Sequence, residues 1–211
     1  MNLANKLTIF RVILVPIMVI FAYLPINQSF HGIAIGMIVM DVIFIIASIT
    51  DKLDGYIARS RNEVTTFGKF MDPLADKILV LAAMVVLVEK NMLPAWIPII
   101  VLAREFIVSG VRLIAVEKGG VVIAASIWGK LKTVTQMIAI IFGFVSIGGF
   151  FAFINSDFSG IHLVVNIITS VMMAISVVAT IFSGWDYVWK AKDLFKENIE
   201  EKNKVKKKKK S

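Results

Sequence analysis

Four aspartates, Asp51, Asp54, Asp72 and Asp76, stand in the stretch DKLDGYIARSRNEVTTFGKFMDPLADK, flanked on both sides by apolar sequence. Asp51 and Asp54 are three residues apart and Asp72 and Asp76 four apart, so on helices each pair shares a face. Without partners such carboxylates could not stay ionised in an apolar setting. An aspartate at a membrane centre costs about 3 kcal/mol even on lenient insertion scales, and neighbouring like charges oppose one another's ionisation. A divalent metal resolves both problems, because hard cations select carboxylate oxygens. Four carboxylates with shared ligands suffice for two divalent cations, Mg2+ or Mn2+. The rest of the stretch suits a phosphate-bearing ligand. Gly55 lets a ligand approach the backbone, Ala58 keeps the same face open, and Arg59 offers a planar fork that matches phosphate. Thr65 and Gly68 read as the connection to the next helix, which Pro73 is placed to begin.

The elements that must hold these side chains are long and apolar. Of 211 residues 58% are hydrophobic, and the apolar runs approach the roughly 20 residues needed to cross a hydrocarbon core. The expected fold is all-α, a polytopic membrane protein with six transmembrane helices near residues 7–25, 31–50, 73–91, 95–116, 133–153 and 161–183. Pro25, Pro94, Pro98 and the FSG at Phe158 to Gly160 punctuate turns. Lys6, Arg11, Arg59, Arg61, Lys69, Lys118, Lys130, Lys132 and the lysine tail fall on one side of this topology. The opposite loops are nearly free of basic residues, so both termini are expected in the cytoplasm. Trp128, Trp185 and Trp189 then fall near the cytoplasmic interface and Trp96 near the outer one. The first span lacks a small-residue cleavage site and is expected to stay in the mature protein. Residues 1–195 read as one membrane domain and 196–211 as a lysine-rich cytoplasmic tail.

The absence of cysteine excludes disulfides, thiolate metal sites and a thiol nucleophile. The formal charge is +8, but without Lys202, Lys204 and Lys206 to Lys210 only +1 remains. The basic character therefore belongs to the tail, a solvated, disordered run or one held to anionic lipid, and no nucleic-acid partner is expected.

Asp51-x2-Asp54-Gly55-x2-Ala58-Arg59-x8-Gly68-x3-Asp72-x3-Asp76 reproduces a known signature, and the chain resembles the CDP-alcohol phosphotransferase family. The resemblance implies six transmembrane helices, a homodimer, and a multi-pass enzyme of the bacterial plasma membrane with its active site facing the cytoplasm. It implies Asp51 and Asp72 as ligands of both metals, Asp54 of the first and Asp76 of the second, with Asp76 also the catalytic proton acceptor. Gly55, Arg59, Thr65 and Gly68, together with Asn5 and Thr8 of the opening NLANKLTIFRVILVP, correspond to CDP-lipid-binding positions. In the implied reaction an acceptor hydroxyl, deprotonated by Asp76, attacks the lipid-bearing phosphorus and CMP leaves, aided mainly by positioning and charge stabilisation.

Charge narrows the acceptor. Two divalent cations offset four aspartates, whereas a donor diphosphate and a phosphorylated acceptor would each add roughly −2, so the site calls for further cations. Arg104, Arg112, Lys118, Lys130 and Lys132 are the candidates for binding the acceptor's phosphate. Glu105, Ser109 and Arg112 form a polar stripe on the fourth span, and intramembrane charges of this kind point to function. An internal ion pair of Glu105 with Arg112 or a neighbour is the structural alternative. Lys132, Thr133 and Gln136 can share one face of the fifth span. The segment from Leu102 to Gln136 is similar to the family members that make phosphatidylglycerophosphate, which implies CDP-diacylglycerol as donor and glycerol 3-phosphate as acceptor. Inositol phosphate or serine as acceptor, or a cation transporter, are the rival readings; a transporter would spread its acids through several spans instead of gathering them at one mouth. Asp41, about 15 Å from Asp51 by helical rise, is expected to pair within the bundle or at a dimer contact. His31 and His162 read as interfacial residues on the outer side.

Overall fold

The structure is a computed structural model that describes residues 3–24, 28–60, 66–117, 126–155 and 158–208. Six α-helices are described: α1 (Leu3–Tyr23), α2 (Ile35–Ser60), α3 (Thr66–Glu89), α4 (Trp96–Glu117), α5 (Ile127–Phe144) and α6 (Gly160–Lys208). Each takes up one apolar run of the sequence. Two stretches, Asn5–Tyr23 in α1 and Gly160–Lys190 in α6, are long and apolar enough to cross a membrane by length and composition. Large apolar side chains are exposed on every helix, among them Phe10, Ile46, Ile78, Phe106, Ile127 and Ile181, while Thr8, Arg11, Lys132, Ser176 and Thr180 are buried. A water-soluble domain sorts its residues the other way.

Several elements differ from the sequence reading: α2 runs on to Ser60 instead of ending near 50, and α5 is Ile127–Phe144 where 133–153 was expected. α3 begins at Thr66, so Gly68 and Pro73 lie inside a helix and the connection shrinks to 61–65. A proline inside a helix removes the bond its own amide would have made and crowds the carbonyl four residues back, a cost the helix bears at Pro73. α6 does not stop at an interface: its backbone is helical to Lys208, through much of the tail expected to be unstructured. A small β-hairpin, β1 (Ser29–Phe30) paired antiparallel with β2 (Ile33–Ala34), precedes α2. Its turn residues His31 and Gly32 both have positive φ, 50° and 80°, the geometry that two-residue hairpin turns require.

Packing divides the chain into two units, Met1–Pro98 with Gln136–Met173, and Ile99–Thr135 with Ala174–Ser211. In the first unit, α1 buries Asn5, Thr8, Arg11, Val15, Met18 and Ala22, spaced three or four apart as one helical face. α2 answers with Met37, Met40, Asp41, Phe44 and Ala47. The two backbones approach so closely that a Cβ on Gly36 would lie 2.5 Å from the Phe21 carbonyl oxygen, which excludes any larger residue there. Phe44 packs edge-on against Phe144 of α5, ring centroids 5.9 Å apart. Asn166 ties down the segment before α6: its Nδ2 donates to Ser146 Oγ and the Gly149 carbonyl, both at 3.1 Å, and its Oδ1 accepts from the Phe153 amide at 3.0 Å. Asp41 is buried, but its Oδ1 has no hydrogen-bond partner among the described residues, so the pairing expected of it within the bundle is not made there.

The second unit holds most of α4, the start of α5 and the rest of α6. Ser126 caps α5, its Oγ accepting from the Trp128 amide at 3.2 Å. The buried face of α6 is polar: Ser176, Thr180, Ser183 and Tyr187 follow one another at helical spacing and are each 1% exposed or less.

Candidate active site

The acidic half belongs to the first unit. Asp51 and Asp54 lie near the C-terminal end of α2, and Asp72 and Asp76 near the N-terminal end of α3. Counting from the joined ends at a rise of about 1.5 Å per residue, Asp54 and Asp72 both stand about 9 Å in, and Asp51 and Asp76 about 14–15 Å in. Two packed helices joined by so short a connection thus carry their acid pairs at matched depths. Asp51 and Asp76 are partly exposed; the side chains of Asp54, Asp72, Gly55, Arg59 and Gly68 lie outside the described residues, as do Thr65 and Lys118 entirely. Among the described residues no three carboxylates, imidazoles or thiols come together as a metal-binding group.

The sequence did not predict what stands against these acids. Arg11 of α1 is 0% exposed, and its Nη1 donates to Asp51 Oδ1 at 2.5 Å. A buried guanidinium is expensive unless paired, so the pair fixes α1 against the acidic end of α2. The available signal was Arg11 itself, a charge within a run of Ile, Val and Leu. Asn5 and Thr8, expected to bind the CDP-lipid, are buried about two turns and one turn before Arg11 on the same face.

The basic half belongs to the second unit. Glu105 lies between cations: Arg104 Nη1 donates to its Oε1 at 3.1 Å, and Lys132 Nζ donates to the same oxygen. The ion-pair alternative for Glu105 is therefore realised with Arg104 and Lys132, while Arg112 turns elsewhere. Its Nη2 donates to Tyr187 Oη at 2.8 Å. Arg104 Nη2 donates to Ser183 Oγ. A Cβ on Gly129 would come within 3.5 Å of Arg104 Nη2, and one on Gly184 within 3.4 Å of its Cγ, so small residues make room for the guanidinium. Ser183 and Tyr187 were not singled out in the sequence, because they follow an apolar run and sit among interfacial tryptophans. Three cations against one carboxylate leave this cluster with +2, the complement of a phosphomonoester carrying about −2.

Other expected members of the acceptor set stand apart. Lys130 is exposed. Thr133 Oγ1 donates to the Gly129 carbonyl of its own helix, and Gln136 Nε2 donates to Met84 Sδ at 3.1 Å, within the first unit. Lys132 and Gln136 are both buried and one turn apart on α5, but their contacts differ: Gln136 meets a core methionine, and Thr133 turns back on its own helix.

A family model described as CDP-alcohol phosphatidyltransferase matches residues 1–182, and the chain belongs to this family of membrane-lipid transferases. Among its relatives is the CDP-diacylglycerol--glycerol-3-phosphate 3-phosphatidyltransferase of Bacillus subtilis, 40% identical over 88% of this chain and 93% of its own length. The enzyme of the same name from Haemophilus influenzae is 39% identical over 94% of this chain and 98% of its length. That of Escherichia coli is 41% identical over 66% of this chain and 74% of its length.

Proposed function

We propose that this protein transfers the phosphatidyl group of CDP-diacylglycerol to glycerol 3-phosphate, giving phosphatidylglycerophosphate and CMP. The observation that carries this reading is the pair of joined helix ends, α2 and α3, bearing the two acid pairs at matched depths in a chain of this family. The relatives that span nearly its whole length carry the name of that reaction.

Asp51, Asp54, Asp72 and Asp76 form an all-oxygen donor set suited to two divalent cations, Mg2+ or Mn2+. When bound, these cations supply charge neutralisation and Lewis acidity at the donor diphosphate. Asp76 takes the proton from the acceptor hydroxyl. The oxygen so freed attacks the lipid-bearing phosphorus, the bond to the CMP oxygen breaks, and CMP leaves. Gly55, Arg59, Thr65 and Gly68, with Asn5 and Thr8, receive the CDP-lipid. Arg11 holds Asp51 in place. Arg104, Arg112 and Lys132, with Lys118 and Lys130 nearby in sequence, bind the acceptor's phosphate.

The setting we infer is a bacterial plasma membrane crossed six times, with both termini and the active site on the cytoplasmic side. The inside-out sorting of apolar and polar residues supports it. Residues 1–195 act as one catalytic domain and assemble as a homodimer, and the lysine-rich end of α6 meets the cytoplasmic membrane surface.

The test is CMP release from CDP-diacylglycerol by purified protein in detergent, with glycerol 3-phosphate, serine or inositol phosphate as acceptor. Release with glycerol 3-phosphate alone, dependent on divalent metal and absent in Asp76→Asn, is the expected result. Release with serine or inositol phosphate instead overturns the choice of acceptor. No release with any acceptor, from folded protein, overturns the enzyme reading in favour of transport.

A further inference from the structure

We propose that Tyr187 is a positioning residue of the acceptor site, holding the guanidiniums of Arg104 and Arg112 in the arrangement that receives the acceptor's phosphate. The inference deepens the functional reading above and rests on it. Tyr187 is 1% exposed and stands one turn beyond Ser183 on the same face of α6, so both project toward α4. Its hydroxyl oxygen accepts from Arg112 Nη2 at 2.8 Å. Its ring lies against both arginines at once, with the Arg104 Cζ 5.7 Å and the Arg112 Cζ 5.4 Å from the centroid.

Two like charges so close to one ring repel each other. The electron-rich face attracts each of them and offsets part of that repulsion. The two arginines differ in how they are otherwise held. Arg104 is part-buried and also bound by Glu105 and Ser183, whereas Arg112 is exposed and Tyr187 is its partner here. An exposed arginine without an anchor samples many rotamers, and a planar fork recognises phosphate bidentately only when its plane is set. Tyr187 sets that plane through its ring and its hydroxyl together. The phenol accepts in the bond to Arg112, so its own hydrogen remains available to an oxygen of the ligand.

The experiment compares wild type, Tyr187→Phe, Arg112→Ala and the double variant. CMP release is measured against glycerol 3-phosphate at saturating CDP-diacylglycerol, and against CDP-diacylglycerol at saturating glycerol 3-phosphate. The expected result is a KM for glycerol 3-phosphate raised about 10- to 100-fold in Tyr187→Phe, the size of one lost hydrogen bond to a charged group. The KM for CDP-diacylglycerol should stay within about twofold. The double variant should match Arg112→Ala, because a residue acting through another adds nothing once its client is gone. An unchanged acceptor KM in Tyr187→Phe while Arg112→Ala raises it, or effects that multiply in the double variant, overturns the proposal and leaves the functional reading standing. A wild type that ignores glycerol 3-phosphate, or an Arg112→Ala that moves only the donor KM, overturns the reading beneath it. If Tyr187→Phe does not fold, Arg112→Lys takes its place: it keeps the charge but loses the planar stack and must raise the acceptor KM; an unchanged value overturns the proposal.

Discussion

The two units solve opposite electrostatic problems with the same device. In the first, two acid pairs stand near the joined ends of α2 and α3, and one buried cation, Arg11, is laid against Asp51. In the second, cations are gathered, and one carboxylate, Glu105, is shared between Arg104 and Lys132. In each a side chain of the opposite sign holds a member of the set: Arg11 holds Asp51, and Glu105 holds Arg104 and Lys132. The holders differ in reach. Arg11 comes from another helix 40 residues away in sequence, whereas Glu105 is adjacent to Arg104, and the aromatic face of Tyr187 shares its work.

The largest effect should come from emptying the acidic side. Chelation of divalent metal, or Asp51→Asn, is expected to lower CMP release by at least about 1000-fold, and Mg2+ or Mn2+ should restore only the chelated wild type. Activity that survives chelation would break the parallel, since the acids would then have no charge to receive. Next comes the holder itself. Arg11→Met should destabilise the protein by about 1–2 kcal/mol, less than breaking a fully buried pair because Asp51 is partly exposed, and a thermal melt in detergent reads this directly. Arg11→Lys should recover part of the loss. On the basic side, Arg112→Ala should raise the KM for glycerol 3-phosphate about 10- to 100-fold and leave that for CDP-diacylglycerol nearly unchanged. A matching rise in the donor constant would erase the division of labour between the two charge sets. The smallest effect is predicted for Lys190→Gln. Its pair with Asp186, four residues back on α6 at 2.7 Å, is half exposed, and such pairs contribute about 0.3–0.5 kcal/mol, so melting point and kinetics should hardly move.

Much of this architecture could be read from the chain because it depends on local spacing. Asp51 and Asp54, and Asp72 and Asp76, announce a shared helical face by their separation alone, and apolar runs near membrane length announce six helices. The features that escaped depend on contacts between distant segments or on conformational choices with weak local signals. Nothing near Arg11 says that its partner is Asp51. Ser183 and Tyr187 look like ordinary members of an interfacial helix until α4 is seen to bring two arginines to them. Gln136 is spaced to join Lys132, yet a buried methionine sulphur takes its amide. The hairpin at His31–Gly32 is too short to produce an alternating pattern, and the helical backbone at Pro73 overrides the usual meaning of a proline. The polar character of the buried α6 face was visible as letters but not as a face, because hydropathy averages away three small hydroxyl-bearing residues and one tyrosine among many valines and isoleucines.

The pairing of Arg11 with Asp51 also sets an order of events during synthesis. At about 5–20 residues per second, the aspartate is made some 2–8 s after the arginine it neutralises. For that interval the cation on α1 lacks the carboxylate that it meets in the fold. The contact between α1 and α2 is therefore expected to be completed only once α2 has been made.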